Sequence, residues 1–208
     1  IEKDKELVSF LNEKFKNYKN IQIINSDILS LMRKKKFNSK NVVVFGNLPY
    51  NISTKILASF IMLDKWPPWY EILIFMFQKE VADRISAKSH TKEYGRLSIL
   101  SNWRLEIKKH FDISKNCFVP KPKINSTLLS FKPKINKLFN LKNSKNLEMV
   151  TRVLFSNRRK MINKNFKKLF LNNKSAIQNL NINLSARPEE LSCETYYKIA
   201  MQYEKLSD

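Results

Sequence analysis

The sequence predicts an α/β protein: a doubly wound sheet with a smaller all-helical domain behind it. Three observations carry this. Short β-branched runs alternate with helical patterns over the first hundred residues. From residue 103 apolar residues alternate with polar ones, the mark of a half-buried antiparallel strand. After Lys132-Pro133-Lys134 every apolar pattern is helical.

In chain order, Ile1-Glu2 reads as the end of a strand. Asp4 to Lys16 reads as the helix after it, with Leu7, Val8, Phe10, Leu11 and Phe15 at helical spacing behind an acidic start. Ile21-Gln22-Ile23-Ile24 predicts a short strand, closed by Asn25-Ser26-Asp27. Residues 42–48 open with three valines and a phenylalanine, the composition of a strand buried in a parallel sheet, and Gly46 and Pro49 stop it. Ser53 is a suitable N-cap for a helix over 54–63. Trp66-Pro67-Pro68-Trp69 is a loop, residues 71–77 the next strand, and residues 78–87 a helix. Trp103, Leu105, Ile107, Phe111 and Ile113 alternate with polar residues and predict a strand over 103–113; residues 126–131 predict a second. The prolines of Phe118-Val119-Pro120-Lys121-Pro122-Lys123 make an extended loop between them. Helices are expected over 147–155, 158–170 and 191–203, the last with Ser192 as its N-cap. A domain boundary near Pro133 gives an α/β domain over 1–133 and a helical, basic domain over 134–208.

Composition narrows the function. The chain has 208 residues, 43% hydrophobic and 12% aromatic, which is globular rather than disordered. Its 39 Lys and Arg against 18 Asp and Glu give a net charge of +21. Thirteen Lys or Arg fall between Lys132 and Lys174 with one acid, Glu148. Such segregation points to a polyanion, and nucleic acid is the expected partner. Within it, Arg158, Arg159, Lys160, Lys164, Lys167 and Lys168 flank an apolar helical stripe and are the expected nucleic-acid contacts; a solvated lysine-rich face is the alternative. No run of eighteen apolar residues predicts a membrane span. Cys117, Cys193, His90 and His110 show no metal-ligand spacing, so no metal is expected. With so few cysteines, a reduced cytosolic or organelle-interior setting is the expectation.

The chemistry centres on Asn47-Leu48-Pro49-Tyr50-Asn51-Ile52-Ser53. It lies past a strand's carboxyl end, where open α/β sheets bind their ligands. A strand-ending Asn-x-Pro turn with a half-buried tyrosine is the plain structural alternative. Glu2, at a strand end, can accept hydrogen bonds from ribose hydroxyls, as carboxylates do in dinucleotide folds. Asp27 can accept from an adenine amino group. A helix-start acid and an Asx turn or N-cap are their structural alternatives.

Asn47-Leu48-Pro49-Tyr50 resembles the (Asn/Asp/Ser)-Pro-Pro-(Tyr/Phe) motifs of methyltransferases that modify exocyclic amines. With Asn51-Ile52-Ser53 it is similar to the ribosomal RNA adenine N6,N6-dimethyltransferases. Further matches extend the resemblance over nearly all the chain: Phe118-Val119-Pro120-Lys121-Pro122-Lys123-Ile124-Asn125-Ser126, Gln78-Lys79-Glu80-Val81-Ala82-Asp83-Arg84, Tyr94-Gly95-Arg96-Leu97-Ser98, Phe155-Ser156-Asn157-Arg158-Arg159-Lys160 and Arg187-Pro188-Glu189-Glu190-Leu191-Ser192. The resemblance implies a Rossmann-like sheet that uses S-adenosylmethionine. It also implies roles. The Asn47 side chain and the Leu48 carbonyl accept from the target amine, and Pro49 fixes the turn that aims them. Tyr50 and Phe118 stack on the two faces of an extruded adenine. Glu2 and Asp27, with Asn47, address the cofactor. The implied substrate is two adjacent adenosines near the 3′ end of small-subunit rRNA, in an immature subunit, met by a cytoplasmic monomer. A large-subunit rRNA adenine methyltransferase of the macrolide-resistance type is the enzymatic alternative. A noncatalytic rRNA-binding assembly factor, or the related mitochondrial transcription factor, is the alternative from another class.

One departure stands out. Only two glycines are present, Gly46 and Gly95, and neither forms the Gly-rich turn expected after the first strand of a nucleotide-binding domain. The expectation is that a front segment of the fold precedes Ile1. A chain beginning at Ile1 is then expected to bind the cofactor weakly, with an exposed strand edge prone to association.

Overall fold

The structure is a computed structural model, and it describes residues 1–33, 41–135, 139–171, 173 and 180–207. Four strands form one mixed sheet in the order β1-β2-β4-β3: β1 is Val42–Asn47, β2 Tyr70–Gln78, β3 Leu105–Ile113 and β4 Ser126–Pro133. β1 and β2 run parallel, from Val42 opposite Tyr70 to Asn47 opposite Met76. β4 is antiparallel to β2, from Leu73 opposite Phe131 to Gln78 opposite Ser126, and β3 is antiparallel to β4. The carboxyl ends of β1 and β2 and the start of β4 therefore meet at one edge of the sheet.

Among the described residues the α-helices are α1 (Lys5–Lys14), α2 (Ile28–Arg33), α3 (Ser53–Ile61), α4 (Lys79–Ser86), α5 (Arg96–Arg104), α6 (Ser144–Leu154), α7 (Asn163–Leu169) and α8 (Cys193–Ser207). The Asp4 carboxylate caps α1 by accepting from the N–H groups of Glu6 and Leu7. α6 is capped twice. Asn143 accepts from Lys145 N–H, and the buried Glu204 of α8 accepts from the N–H groups of Lys142 and Asn143 and from the Asn146 amide. No described helix is long and apolar enough to cross a membrane.

One hydrophobic core joins Leu73, Phe75 and Phe77 of β2, Leu57 and Phe60 of α3, and Leu129 and Phe131 of β4 to Leu147, Val150, Phe166, Tyr196 and Ile199 of the later helices. The sheet ends at Pro133, yet the core runs past that point. Trp103 Nε1 donates to Phe139 O at 3.0 Å, and Tyr197 Oη donates to Ile99 O at 3.1 Å.

The structure corrects five expectations. Residues 21–24 form no strand; the ladder there is one parallel bridge between Glu2 and Asn25, and Ile21 N–H turns back to Tyr18 O. β1 is accordingly an edge strand among the described residues. Its Val43 and Phe45 are 44% and 74% exposed rather than buried on both faces. Ser53 lies inside α3 and gives its hydroxyl to Tyr50 O, so Ile52 occupies the cap position without a side-chain bond. Trp103 belongs to the last turn of α5, because its indole packs beside the Arg104 guanidinium instead of continuing the alternation of β3. The helix expected over 158–170 begins only at Asn163; the Ala186 carbonyl takes the Ile162 N–H, and Arg158 to Met161 form a turn.

Candidate functional site

Asn47 is the last residue of β1, paired with Met76 of β2 and exposed at the sheet edge. The turn that follows closes through Ile52 N–H to Pro49 O at 3.1 Å and Ser53 Oγ to Tyr50 O at 3.1 Å. These bonds seat α3 directly behind the motif. No described residue hydrogen-bonds the Asn47 side chain, so its amide oxygen is open to a ligand. Gly46 is a point of close approach. A Cβ there would sit 2.6 Å from Leu48 Cδ2 and 2.8 Å from Phe75 Cδ1, distances that no side chain tolerates. Only a glycine lets the motif fold back onto the Phe75 ring.

Tyr50 is half-buried, and its hydroxyl lies 2.7 Å from the buried Ser126 Oγ. Ser126 is the first residue of β4 and follows the proline-rich loop that carries Phe118. That loop begins with a short 3₁₀ turn, Lys115–Cys117, and leaves Phe118 half-buried with extended backbone. Both ends of the loop meet at Asn125: its side-chain oxygen accepts from Lys115 N–H at 3.1 Å, and its carbonyl accepts from Lys79 N–H at 3.0 Å. The structure thus ties the Asn47–Tyr50 turn to the first residue of β4 and the Phe118 loop to the residue just before it. Behind them stands a charge network. Asp112 accepts from Thr127 Oγ1 at 2.7 Å and from Lys79 Nζ, and Lys109 Nζ bridges to Asp83 at 2.9 Å. The Lys79 ammonium, then the Thr127 hydroxyl, hold the Asp112 carboxyl below its ordinary value, and Asp112 holds Lys79 above its own.

Glu2 and Asp27 come together through their own neighbours. Glu2 N–H donates to Ile24 O and Ser26 N–H to Glu2 O, at 3.0 and 2.9 Å. Glu2 Oε1 accepts from Lys3 and Asp4 N–H, and Asp27 Oδ1 accepts from Leu29 N–H at 2.8 Å. Lys3 Nζ lies 3.2 Å from Asp27 Oδ2; that cation, then the Leu29 N–H, keeps the Asp27 carboxyl below the usual range. Asp27 is therefore the start of α2 as well as a surface acceptor. α2 packs on α3, which begins just past Tyr50.

The six basic residues divide. Arg158 is half-buried: its Nε donates to Glu189 Oε2 at 2.7 Å and its other end to Lys92 O, so it clamps two segments of the chain. Arg159, Lys160, Lys164, Lys167 and Lys168 are exposed. Lys164, Lys167 and Lys168 share the face of α7 opposite the buried Phe166 and Leu169. Arg159, Lys160 and Lys164 line a pocket of about 440 Å³ with Arg187 and the amides Asn157, Asn163 and Asn165. Sequence reasoning did not pick out Arg187 or Ser126, although both stand within the recognised motifs. Their roles come from contacts between segments far apart in the chain.

Comparison with known proteins follows the same lines. The family model described as ribosomal RNA adenine dimethylase matches residues 1–205. A Pelagibacter ubique protein named ribosomal RNA small subunit methyltransferase A is 47% identical over 99% of this chain and 77% of its own. Its namesake from Nitrobacter winogradskyi is 34% identical over 97% of this chain and 70% of its own. Among solved structures, a dimethyladenosine transferase from Plasmodium falciparum aligns with a TM-score of 0.76 at 22% identity, over 99% of this chain and 81% of its own. The 23S rRNA methyltransferase ErmE aligns at 0.65 and 19%, over 97% of this chain and 79% of its own. Both structural likenesses speak to the fold, an α/β methyltransferase sheet with a helical carboxyl-terminal part. The extent of the family match and the level of identity to these relatives place the chain: it belongs to the ribosomal RNA adenine dimethylase family.

Proposed function

We propose that this protein dimethylates N6 of two adjacent adenosines near the 3′ end of small-subunit rRNA, using S-adenosylmethionine, as a step in subunit maturation. The observation that carries the reading is the placement of Asn47-Leu48-Pro49-Tyr50. It stands at the carboxyl end of a parallel strand, with an unengaged amide at Asn47 and a tyrosine tied to the strand that follows the Phe118 loop. The names of the relatives favour small-subunit over large-subunit RNA.

An adenine N6 amine is a weak nucleophile because its lone pair is delocalised into the ring. The chain's task is to hold that amine in line and stabilise the charge that develops on it. The Asn47 side chain and the Leu48 carbonyl accept its two N–H bonds, which keeps the lone pair directed outward. Tyr50 and Phe118 hold the extruded base by stacking, worth roughly 1–3 kcal/mol per base. The proton lost on methylation passes to solvent. S-adenosylmethionine, when bound, supplies an electrophilic sulfonium methyl. Two carboxylates suit the nucleoside half of that cofactor: Glu2 for the ribose hydroxyls and Asp27 for the adenine amine. Glu2 keeps Oε2 free of bonds to described residues, and only an exposed lysine covers Asp27 Oδ2.

Residues 1–133 carry the chemistry in this reading, and residues 134–208 grip the RNA through Arg159, Lys160, Lys164, Lys167 and Lys168. Phosphate contacts there give affinity and orientation, while the stacked pocket chooses the base. The protein acts as a monomer in the cytoplasm. The test is Asn47→Ala in the intact gene product, with labelled methyl incorporated into undermethylated small subunits. Turnover should fall by about 10²–10³, the cost of losing one positioned polar partner, with RNA affinity unchanged. Wild-type turnover would remove Asn47 from the reaction.

A further inference from the structure

We propose that Ser126 is a positioning residue: its hydroxyl fixes the Tyr50 ring and couples it to the loop that presents Phe118. The proposal rests on the reading of those two rings as the faces of the base pocket. Ser126 is fully buried and paired through its backbone with Gln78 on one side and Ile113 on the other. A buried hydroxyl left unpaired is costly. Its partner is the Tyr50 phenol at 2.7 Å, across 76 residues of sequence.

Tyr50 lies on a turn, outside any strand or helix. Its ring would otherwise swing about the Cα–Cβ bond. The phenol oxygen lies on the ring's own rotation axis, so a hydrogen bond there fixes where the ring sits rather than its spin, and the cost of that placement is met during folding. The residue before Ser126 does the same for the opposite wall. Asn125 accepts the Lys115 N–H with its side chain and so closes the loop over 115–125 at its base. Asn125 also accepts the Lys79 N–H at the end of β2. The gap between the two rings is thereby referred to two consecutive residues, Asn125 just before β4 and Ser126 at its start.

The test compares Ser126→Ala, Tyr50→Phe, the double variant and Tyr50→Ala. Readouts are kcat for methylation, RNA Kd, and the emission of 2-aminopurine placed at the target adenosine, which rises on extrusion. Ser126→Ala and Tyr50→Phe should each lower kcat about three- to tenfold, the span of one hydrogen bond. Both should reduce the 2-aminopurine rise with Kd unchanged. The double variant should be no worse than the poorer single one, because both remove the same bond. If Tyr50→Ala is crippled while Ser126→Ala or Tyr50→Phe turns over normally, the positioning role is wrong and the base pocket stands. If Tyr50→Ala itself is normal, the base-pocket reading fails first. Additive losses in the double variant would also overturn the coupling. Should Ser126→Ala not fold, Tyr50→Phe decides alone, since the phenyl ring is retained and only the bond is lost.

Discussion

Gly46→Ala is the smallest change that should separate the shape of the catalytic turn from its chemistry. The added methyl would meet Leu48 Cδ2 at 2.6 Å and the Phe75 ring at 2.8 and 3.0 Å. Phe75 is 1% exposed and packs among Phe60, Phe77 and Phe131 at ring separations of 5.6, 6.3 and 6.2 Å, so the ring cannot withdraw. Leu48 Cδ2 ends a flexible, half-buried side chain and can turn aside; the Phe75 ring cannot, so the β1 backbone at Gly46 must shift, and the carbonyl of Leu48 two residues on shifts with it. Overpacking of this kind costs about 1–3 kcal/mol. For a chain of this size that lowers Tm by roughly 2–12 °C. A displacement of about 1 Å in an aligned acceptor costs on the order of 10²-fold in turnover. The assay is methyl incorporation well below the variant's own Tm, beside a scan of thermal unfolding. Gly95→Ala is the control: nothing lies within 4 Å of its Cβ position, its backbone is extended, and it should lose under about 1 kcal/mol with turnover intact. If Gly46→Ala keeps both stability and turnover, the turn is not held against Phe75 as described.

The remaining predictions are brief. Tyr50→Ala and Phe118→Ala should each weaken base capture by roughly 1–3 kcal/mol and combine non-additively, since they grip one base; clean additivity in a double-mutant cycle would count against a shared pocket. Replacing Arg159, Lys160 and Lys164 by Gln should weaken RNA binding and reduce its salt slope by about one unit per lost phosphate contact. An unchanged slope would mark those cations as merely solvated. Arg158→Gln should instead lower Tm with less effect on the slope, because Glu189 and the Lys92 carbonyl already engage it. Asp112 has a depressed pKa, so its contribution is present above about pH 4 and is lost as pH falls through the folded value. Lys79, raised, contributes below about pH 10.4 and loses this as pH rises through its folded value. Urea midpoints of the wild type and Asp112→Asn should converge as the pH drops below that window; a gap that persists at acid pH would refute the pairing.

The sheet was legible where the sequence carried its own pattern. Residues 71–77 and 126–131 predict β2 and β4 closely, since β-branched and aromatic runs bounded by turns have few other uses. Ile21–Ile24 misled because a strand needs a partner as well as propensity, and here one bridge is all that forms. The valines of β1 suggested burial on both faces, but exposure of Val43 and Phe45 depends on what lies beside the strand, which no local pattern encodes. Trp103 fits the alternation of β3 by chance; packing against Arg104 assigns it to α5. At the site, the motif residues could be named from sequence, whereas the Tyr50–Ser126 bond and the Arg158–Glu189 clamp join segments 76 and 31 residues apart. Arg158 also illustrates the limit of charge counting: a cation in a basic run can be consumed by the fold.

The most direct test of the central claim is product analysis. Small subunits from cells lacking this methylation are incubated with the intact gene product and labelled S-adenosylmethionine, and the rRNA is digested for mass spectrometry. The account predicts N6,N6-dimethyladenosine at two adjacent positions near the 3′ end of the small-subunit rRNA, formed about 10²–10³ times more slowly by Asn47→Ala. Label only at other adenosines of that rRNA, or no transfer by a protein that still binds the subunit, would contradict it.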